Sequence, residues 1–113
     1  MRAEGTPQEL RVVISVSEHS ELASLERWLQ SVPEVRVERR AGMPGAGEQG
    51  VLDELVLFAG SGGVITAIKV LPEFLRAKRS GISVTTIVKD KPFTMTVTNV
   101  EEVLPIIQQL LDD

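Results

Sequence analysis

The chain contains no cysteine, and this absence excludes several kinds of protein at once. Disulfide-stapled domains, thiolate nucleophiles and the commonest zinc sites all need cysteine. The chain also has a single histidine, His19, between Glu18 and Ser20. A serine nucleophile would need that histidine as its base, and no cluster of His, Asp and Glu has the spacing of metal ligands. We therefore expect a protein that is not an enzyme, with no catalytic residue, metal site or cofactor.

A basic surplus and a secretory signal are also missing. The 113 residues carry a net charge of −4, whereas a general nucleic-acid binder normally has excess positive charge. Residues 1–10 lack the apolar stretch of a signal peptide. We expect a cytoplasmic protein that binds no nucleic acid. The charge is uneven, because residues 69–91 hold six basic and two acidic side chains. This favours either a basic helix end or a docking face, which would bind an acidic partner or the protein's own acidic end at Glu101, Glu102, Asp112 and Asp113.

The length and composition are typical of one ordinary domain. Hydrophobic residues make up 42% of the chain and charged residues 25%, which is the composition of a globular protein. A chain of 113 residues leaves no room for a second independent core. We expect a disordered tail at residues 1–9 and a single domain at residues 10–113.

The hydrophobic pattern of the first half predicts a strand, a helix and a second strand. Residues 10–17 alternate between apolar and other side chains, which is typical of a half-buried strand. Apolar residues then recur at helical spacing from Leu22 to Val32, and Pro33 ends this helix. A short alternation with charged partners at residues 34–38 predicts a strand near a sheet edge. The glycine-rich residues 41–50 predict a mobile loop.

The second half predicts a helix, a hairpin and a final helix. Residues 82–97 alternate on both sides of the turn Lys89–Pro92, which predicts two antiparallel strands. Asn99 and Glu102 resemble a capping pair for a last helix, in which Pro105 either causes a kink or marks a later start. The whole order is β-α-β-α-β-β-α. We expect a small α+β two-layer sandwich, a four-stranded mixed sheet with helices mainly on one face.

The most unusual stretch is an apolar segment at residues 51–75, interrupted by Gly60–Gly63. We interpret it as a broken helix with more hydrophobic surface than one sheet can cover, which is typical of a homo-oligomer or partner surface. The residues that we expect at this protein interface are Leu57, Phe58, Val64, Ile65, Ile68, Leu71, Arg76, Lys78 and Arg79. Trp28 shares a helical face with leucines, so we expect it in the core rather than at the interface.

Two further interpretations of this segment stay open. Gly60–Gly63 before a helix could bind a nucleotide or another anion, because free amides and the helix dipole favour negative charge there. The loop lacks the spacing of a P-loop or a dinucleotide fingerprint, and small residues in such a place more often allow close backbone approach. Residues 55–71 could alternatively associate with a membrane, although they are short for a spanning helix and contain a glycine cluster.

Several features in chain order resemble one known family. They are the run Glu21–Leu29 with Arg27 and Trp28, the glycine-rich loop, the apolar segment with Ser61 and Gly62, the run Phe74–Arg79, and the closing hairpin and amphipathic helix. Over residues 10–111 the chain resembles the effector-associated constant component family, first type, of actinobacterial conflict systems. Pro72 departs from the residue commoner in that family.

The resemblance implies a small non-catalytic adaptor or assembly component of a bacterial conflict (anti-phage defence) system. Such a component would be encoded beside variable effectors and would bind an effector, a regulator or further copies of itself. No catalytic residue is carried over by the resemblance.

Overall fold

The computed structural model describes residues 9–41, 53–78 and 81–112. Its strands are β1 (Leu10–Val16), β2 (Arg36–Ala41), β3 (Asp53–Ala59), β4 (Val84–Val88) and β5 (Lys91–Met95). They form one sheet in the order β2-β3-β1-β4-β5, and every neighbouring pair is antiparallel. Its helices are α1 (Leu22–Gln30), which follows a single 3-10 turn at His19–Glu21, α2 (Ser61–Ile68), α3 (Leu71–Ala77) and α4 (Val100–Asp112).

The described helices cover one face of the sheet, as the sequence predicts. Alternate residues of β1, Val12 and Ile14, point toward them together with Leu55 and Leu57 of β3. The helices close this core with apolar residues at helical spacing. The largest fully buried side chains are Phe74, Ile14, Leu22, Leu25, Leu29, Leu55, Leu57, Ile68, Leu71, Leu75, Met95 and Ile107. Trp28 packs against this cluster and meets the ring of Phe74 edge-on, with centroids 5.7 Å apart.

The expected α+β two-layer sandwich is confirmed, but the expected four-stranded mixed sheet is wrong in two respects. The sheet has five strands among the described residues, and its neighbours are antiparallel. The strand β1 and the strand β2 do run parallel, as the β-α-β order suggests, but β3 lies between them. This is a split β-α-β arrangement, and it puts the charged strand β2 at one sheet edge.

The helix expected over residues 51–75 is also wrong. Residues 53–59 form strand β3 at the interior of the sheet, and the chain then forms two short helices separated at Lys69 and Val70. Its inward residues Leu55 and Leu57 and its outward residues Val56 and Phe58 are all apolar, so the strand shows no period-two alternation. Pro72 lies in the first turn of α3, where its missing N–H has no intrahelical acceptor to lose.

The final helix begins at Val100 and contains Pro105. The proline is exposed, and it leaves the Glu101 carbonyl without a helical N–H. The expected cap by Asn99 is not formed by its side chain. Instead, the Asn99 Oδ1 accepts from the Thr96 N–H at 2.7 Å and the Nδ2 donates to the Thr94 carbonyl at 3.3 Å.

Some expectations lie outside the described residues. The disordered tail expected at residues 1–9 and the mobile loop expected at residues 41–50 are described only at Glu9 and Ala41, and Arg79 is not described. The described part shares one hydrophobic cluster, to which four strands and the four helices contribute and against which Val37 of β2 packs.

Candidate functional site

The face of the sheet turned away from the helices is the candidate site, and we name it the open face. Because side chains alternate along a strand, the register assigns to it every second residue of each strand. No described helix packs on it. Its members are Arg11, Val13, Ser15, Arg36, Glu38, Arg40, Glu54, Val56, Phe58, Thr85, Ile87, Pro92 and Thr94.

An apolar row crosses four strands of the open face. Val56 is paired with Val13, Val13 with Ile87, and Ile87 with Pro92. Ile87 is 37% exposed and Pro92 is exposed, whereas Val13 is half-buried and Val56 is buried. Directly opposed side chains lie about 5 Å apart at Cβ, so the row is a continuous apolar strip on a face without a described helix.

Charged side chains lie on both sides of this row. On one side, Phe58 is paired with Arg11 and Arg36, and the guanidinium of Arg36 lies 4.3 Å from the ring centre. On the other side, Arg40 donates to Glu54 at 2.9 Å. The remaining carboxylate, that of Glu38, lies 3.5 Å from Arg36.

The three arginines and two glutamates of the open face sum to a positive charge on a chain that is negative as a whole. Both glutamates are paired with arginines of β2. Among the described residues, Arg11 has no carboxylate within 4.0 Å. Its guanidinium is therefore the cation of this face that no described carboxylate neutralises.

A hollow of ≈ 240 Å³ lies beside the apolar row, at the end of the open face that carries Arg11. It is lined by Arg11, Val13, Arg40, Ile87, Lys89 and Asp90. Arg40 belongs to β2 and Val13 to β1, so the arginine side chain extends over the intervening β3. The ammonium of Lys89 points elsewhere, because it donates to the Leu110 carbonyl at 3.0 Å in the last turn of α4.

The two sheet edges are less suited than the open face to bind another chain. On β5, Pro92 has no N–H, and the amide of Asn99 binds both the Thr94 carbonyl and the Thr96 N–H. The opposite edge, β2, carries four charged residues in six. Edge strands are usually protected against pairing with another strand by charged side chains and by backbone groups that are already hydrogen-bonded.

The residues expected from sequence at the interface do not form one surface. Leu57, Val64, Ile68 and Leu71 are 0% exposed in the core, so they cannot meet a partner of the folded chain. Ile65 packs against the core and is half-buried. The remaining described ones belong to different surfaces, because Phe58 lies on the open face while Arg76 pairs with Glu101 at 3.0 Å and Lys78 with Glu21 at 2.9 Å.

The glycine loop borders an open cleft of ≈ 720 Å³ at the start of α2. Among the described residues of its lining, only Glu34 is charged, and its carboxylate opposes an anion. A Cβ on Gly63 would lie 3.0 Å from the Ala59 Cβ and 3.4 Å from the Glu34 carbonyl oxygen, whereas one on Gly62 would meet nothing within 4 Å. Close approach at Gly63 therefore explains the loop better than anion binding does.

Three observations bear on catalysis, metal binding and a membrane span. His19 Nε2 lies 4.0 Å from Asp53 Oδ2, and both side chains are solvent-exposed to a third or more. No group of three or more His, Asp and Glu residues within the described ranges could hold a metal ion. In the same ranges, no helix has the length and apolarity that crossing a membrane requires.

Sequence reasoning missed the open-face residues Arg11, Val13, Val56 and Ile87. A signal was present, since Val13 and Ile87 are apolar residues at the outward positions of alternating strands whose other outward residues are polar. One apolar residue at such a position is ordinary, and only the pairing of β1 with β4 shows that the two are neighbours.

The fold and this surface define a class of small α+β domain with one sheet face left open by its described helices. Comparison with family models then gives the family. The model for Effector Associated Constant Component 1 matches residues 15–111, and the chain belongs to this family. The resemblance seen in the sequence is thereby confirmed. The curated proteins and the solved structures gave no significant match.

Proposed function

We propose that this chain is a non-enzymatic adaptor or assembly component of a bacterial conflict system of the anti-phage type. In this proposal it acts by binding an effector or regulator encoded near its own gene, or further copies of itself. The family to which it belongs is that of an effector-associated component, which supports association with effectors.

The observation that carries the proposal is the apolar row on the open face. Exposing Ile87 beside Val13 does not stabilise the folded domain, because it is the burial of apolar surface that lowers the free energy, by about 25 cal/mol per Å². Contiguous apolar residues with a charged surround are typical of interaction surfaces. The place of contact is this surface and not helices α2 and α3, since Val64, Ile68 and Leu71 of those helices fill the core.

Co-expression with the products of the neighbouring genes tests the proposed function. The tagged chain should co-purify with an effector or regulator as a complex of fixed stoichiometry, measured by size-exclusion chromatography with light scattering. A chain that remains a monomer at high concentration and binds none of these products would contradict the proposal.

A further inference from the structure

The open face has the chemistry to recognise a particular kind of partner. The chain carries a net charge of −4, whereas the three arginines and two glutamates of the open face sum to +1. An acidic segment is attracted to this face, and most of all to Arg11, which no described carboxylate neutralises. Electrostatic complementarity of this kind orients an encounter before contacts form.

The hollow supplies the apolar part of the recognition. Its ≈ 240 Å³ is below the range of about 300–1,000 Å³ of small-molecule sites, so it suits a side chain better than a cofactor. Val13 and Ile87 form its apolar part. The charged residues of the same lining are Arg11, Arg40, Lys89 and Asp90, so the cations outnumber the one carboxylate. An aliphatic side chain in this hollow would place a neighbouring carboxylate within reach of the Arg11 guanidinium.

We propose that the open face binds an acidic segment of a partner protein, with an aliphatic side chain in the hollow between Val13 and Ile87 and a carboxylate on Arg11. This inference rests on the proposed function as an interaction component and names the surface and the chemistry of its partner. An Arg11 guanidinium can bind a carboxylate through two parallel N–H donors, which gives direction as well as attraction.

Two other occupants fit the open face less well. Single-stranded nucleic acid needs accessible aromatic rings for its bases, and the ring of Phe58 is half-buried with Arg36 over it. A second copy of the chain would bring a face with the same excess of positive charge, which complements the open face less well than an acidic segment does.

Fluorescence anisotropy with a labelled peptide of alternating glutamate and leucine tests this proposal on the full chain. Arg11→Glu should weaken its binding about tenfold or more, and Ile87→Thr about five- to tenfold, which are the changes expected for central interface residues. Ile87→Thr keeps a β-branched residue in strand β4, so the second variant remains informative if Arg11→Glu folds poorly.

Matched controls lie on the helix side of the molecule. Arg76→Glu changes an exposed arginine in the same way, and Ile106→Thr changes an isoleucine that is 55% exposed. Both variants should bind the peptide as the unchanged chain does. A lysine–leucine peptide of the same length should bind at least about tenfold more weakly than the glutamate–leucine peptide.

Four results would overturn the proposal: no binding of the glutamate–leucine peptide, equal weakening by the controls, preference for an oligothymidine strand, or a dimer that Arg11→Glu dissociates. The first two remove the site, and the last two assign it to nucleic acid or to a second copy. The proposed function is judged separately. If the native effector complex forms and Arg11→Glu and Ile87→Thr leave it intact, the surface is wrong while the adaptor role stands.

Discussion

The two faces of one sheet differ in what determines their residues. On the helix side, Val12, Ile14, Leu55 and Leu57 are almost completely buried, so any polar or small replacement there costs folding free energy. On the open face, the neighbouring Val13 and Ile87 remain partly exposed. Packing within the described chain explains why the residues on the helix side are apolar. It does not explain why Val13 and Ile87 are apolar. The difference teaches that the open face is the place to look for function.

The comparison is tested most strongly by truncating one residue on each face. Leu57→Ala should lower the free energy of unfolding by about 2–5 kcal/mol, because the side chain is fully buried between sheet and helices. Ile87→Ala, on the open face, should cost about 1 kcal/mol or less. Urea unfolding followed by circular dichroism measures both. Equal losses would show that the open face is packed as tightly as the core.

The close approach of helix α2 to Ala59 and Glu34 is tested at two adjacent glycines, Gly62 and Gly63. Gly63→Ala should destabilise the chain by about 1–3 kcal/mol, because its Cβ would press on Ala59 and on the backbone at Glu34. Gly62→Ala has free space and should stabilise the helix by about 0.5–1 kcal/mol. Thermal unfolding of the two variants gives the comparison. If Gly63→Ala stabilises the chain instead, the fold does not require the close approach of α2 to Ala59 and Glu34.

Strand β4 offers a threonine on each face. Thr86 is 0% exposed on the helix side, and its Oγ1 has no hydrogen-bond partner among the described residues. Thr86→Val should therefore raise the free energy of unfolding by about 1–2 kcal/mol, since it removes an unsatisfied buried hydroxyl. Thr85→Val on the open face loses a hydrogen bond to Thr94 and should not stabilise. Destabilisation by Thr86→Val would disprove this account of the helix side.

The smallest effect is expected at the surface of the helix layer. Arg76 and Glu101 pair at 3.0 Å, but their side chains are 55% and 76% exposed. A double-mutant cycle with Arg76→Ala and Glu101→Ala should give a coupling of about 0–1 kcal/mol that decreases with salt. A larger coupling would show that this ion pair contributes to holding α3 against α4.

Much of the fold could be predicted because most elements carry a simple period. Strand β1, helix α1, the hairpin of β4 and β5, and helix α4 all alternate or recur as their type requires. Strand β3 could not be predicted in this way. Its run Leu55–Ala59 is apolar on both faces, and an apolar run of that kind fits a buried strand and a buried helix equally.

The candidate site was less accessible to sequence reasoning than the fold. The apolar excess of residues 51–75 suggested an interface, but Leu55 and Leu57 of the interior strand β3 and most apolar residues of α2 and α3 lie in the core. Phe58, one of the residues expected at the interface, lies on the open face. Its neighbours Arg11, Val13 and Ile87 are 29 or more positions away along the chain, and only strand pairing brings them together.

The central claim is that the open face, and not the helix side, contacts the partner. Methyl-resolved NMR of the chain labelled at isoleucine tests it directly, because Ile87 reports on the open face, Ile65 on α2 and Ile106 on the outer side of α4. On addition of the effector protein encoded beside its gene, the account predicts a shift or broadening of the Ile87 methyl signals while those of Ile106 stay unchanged. Perturbation of Ile65 or Ile106 with an unchanged Ile87 would contradict it.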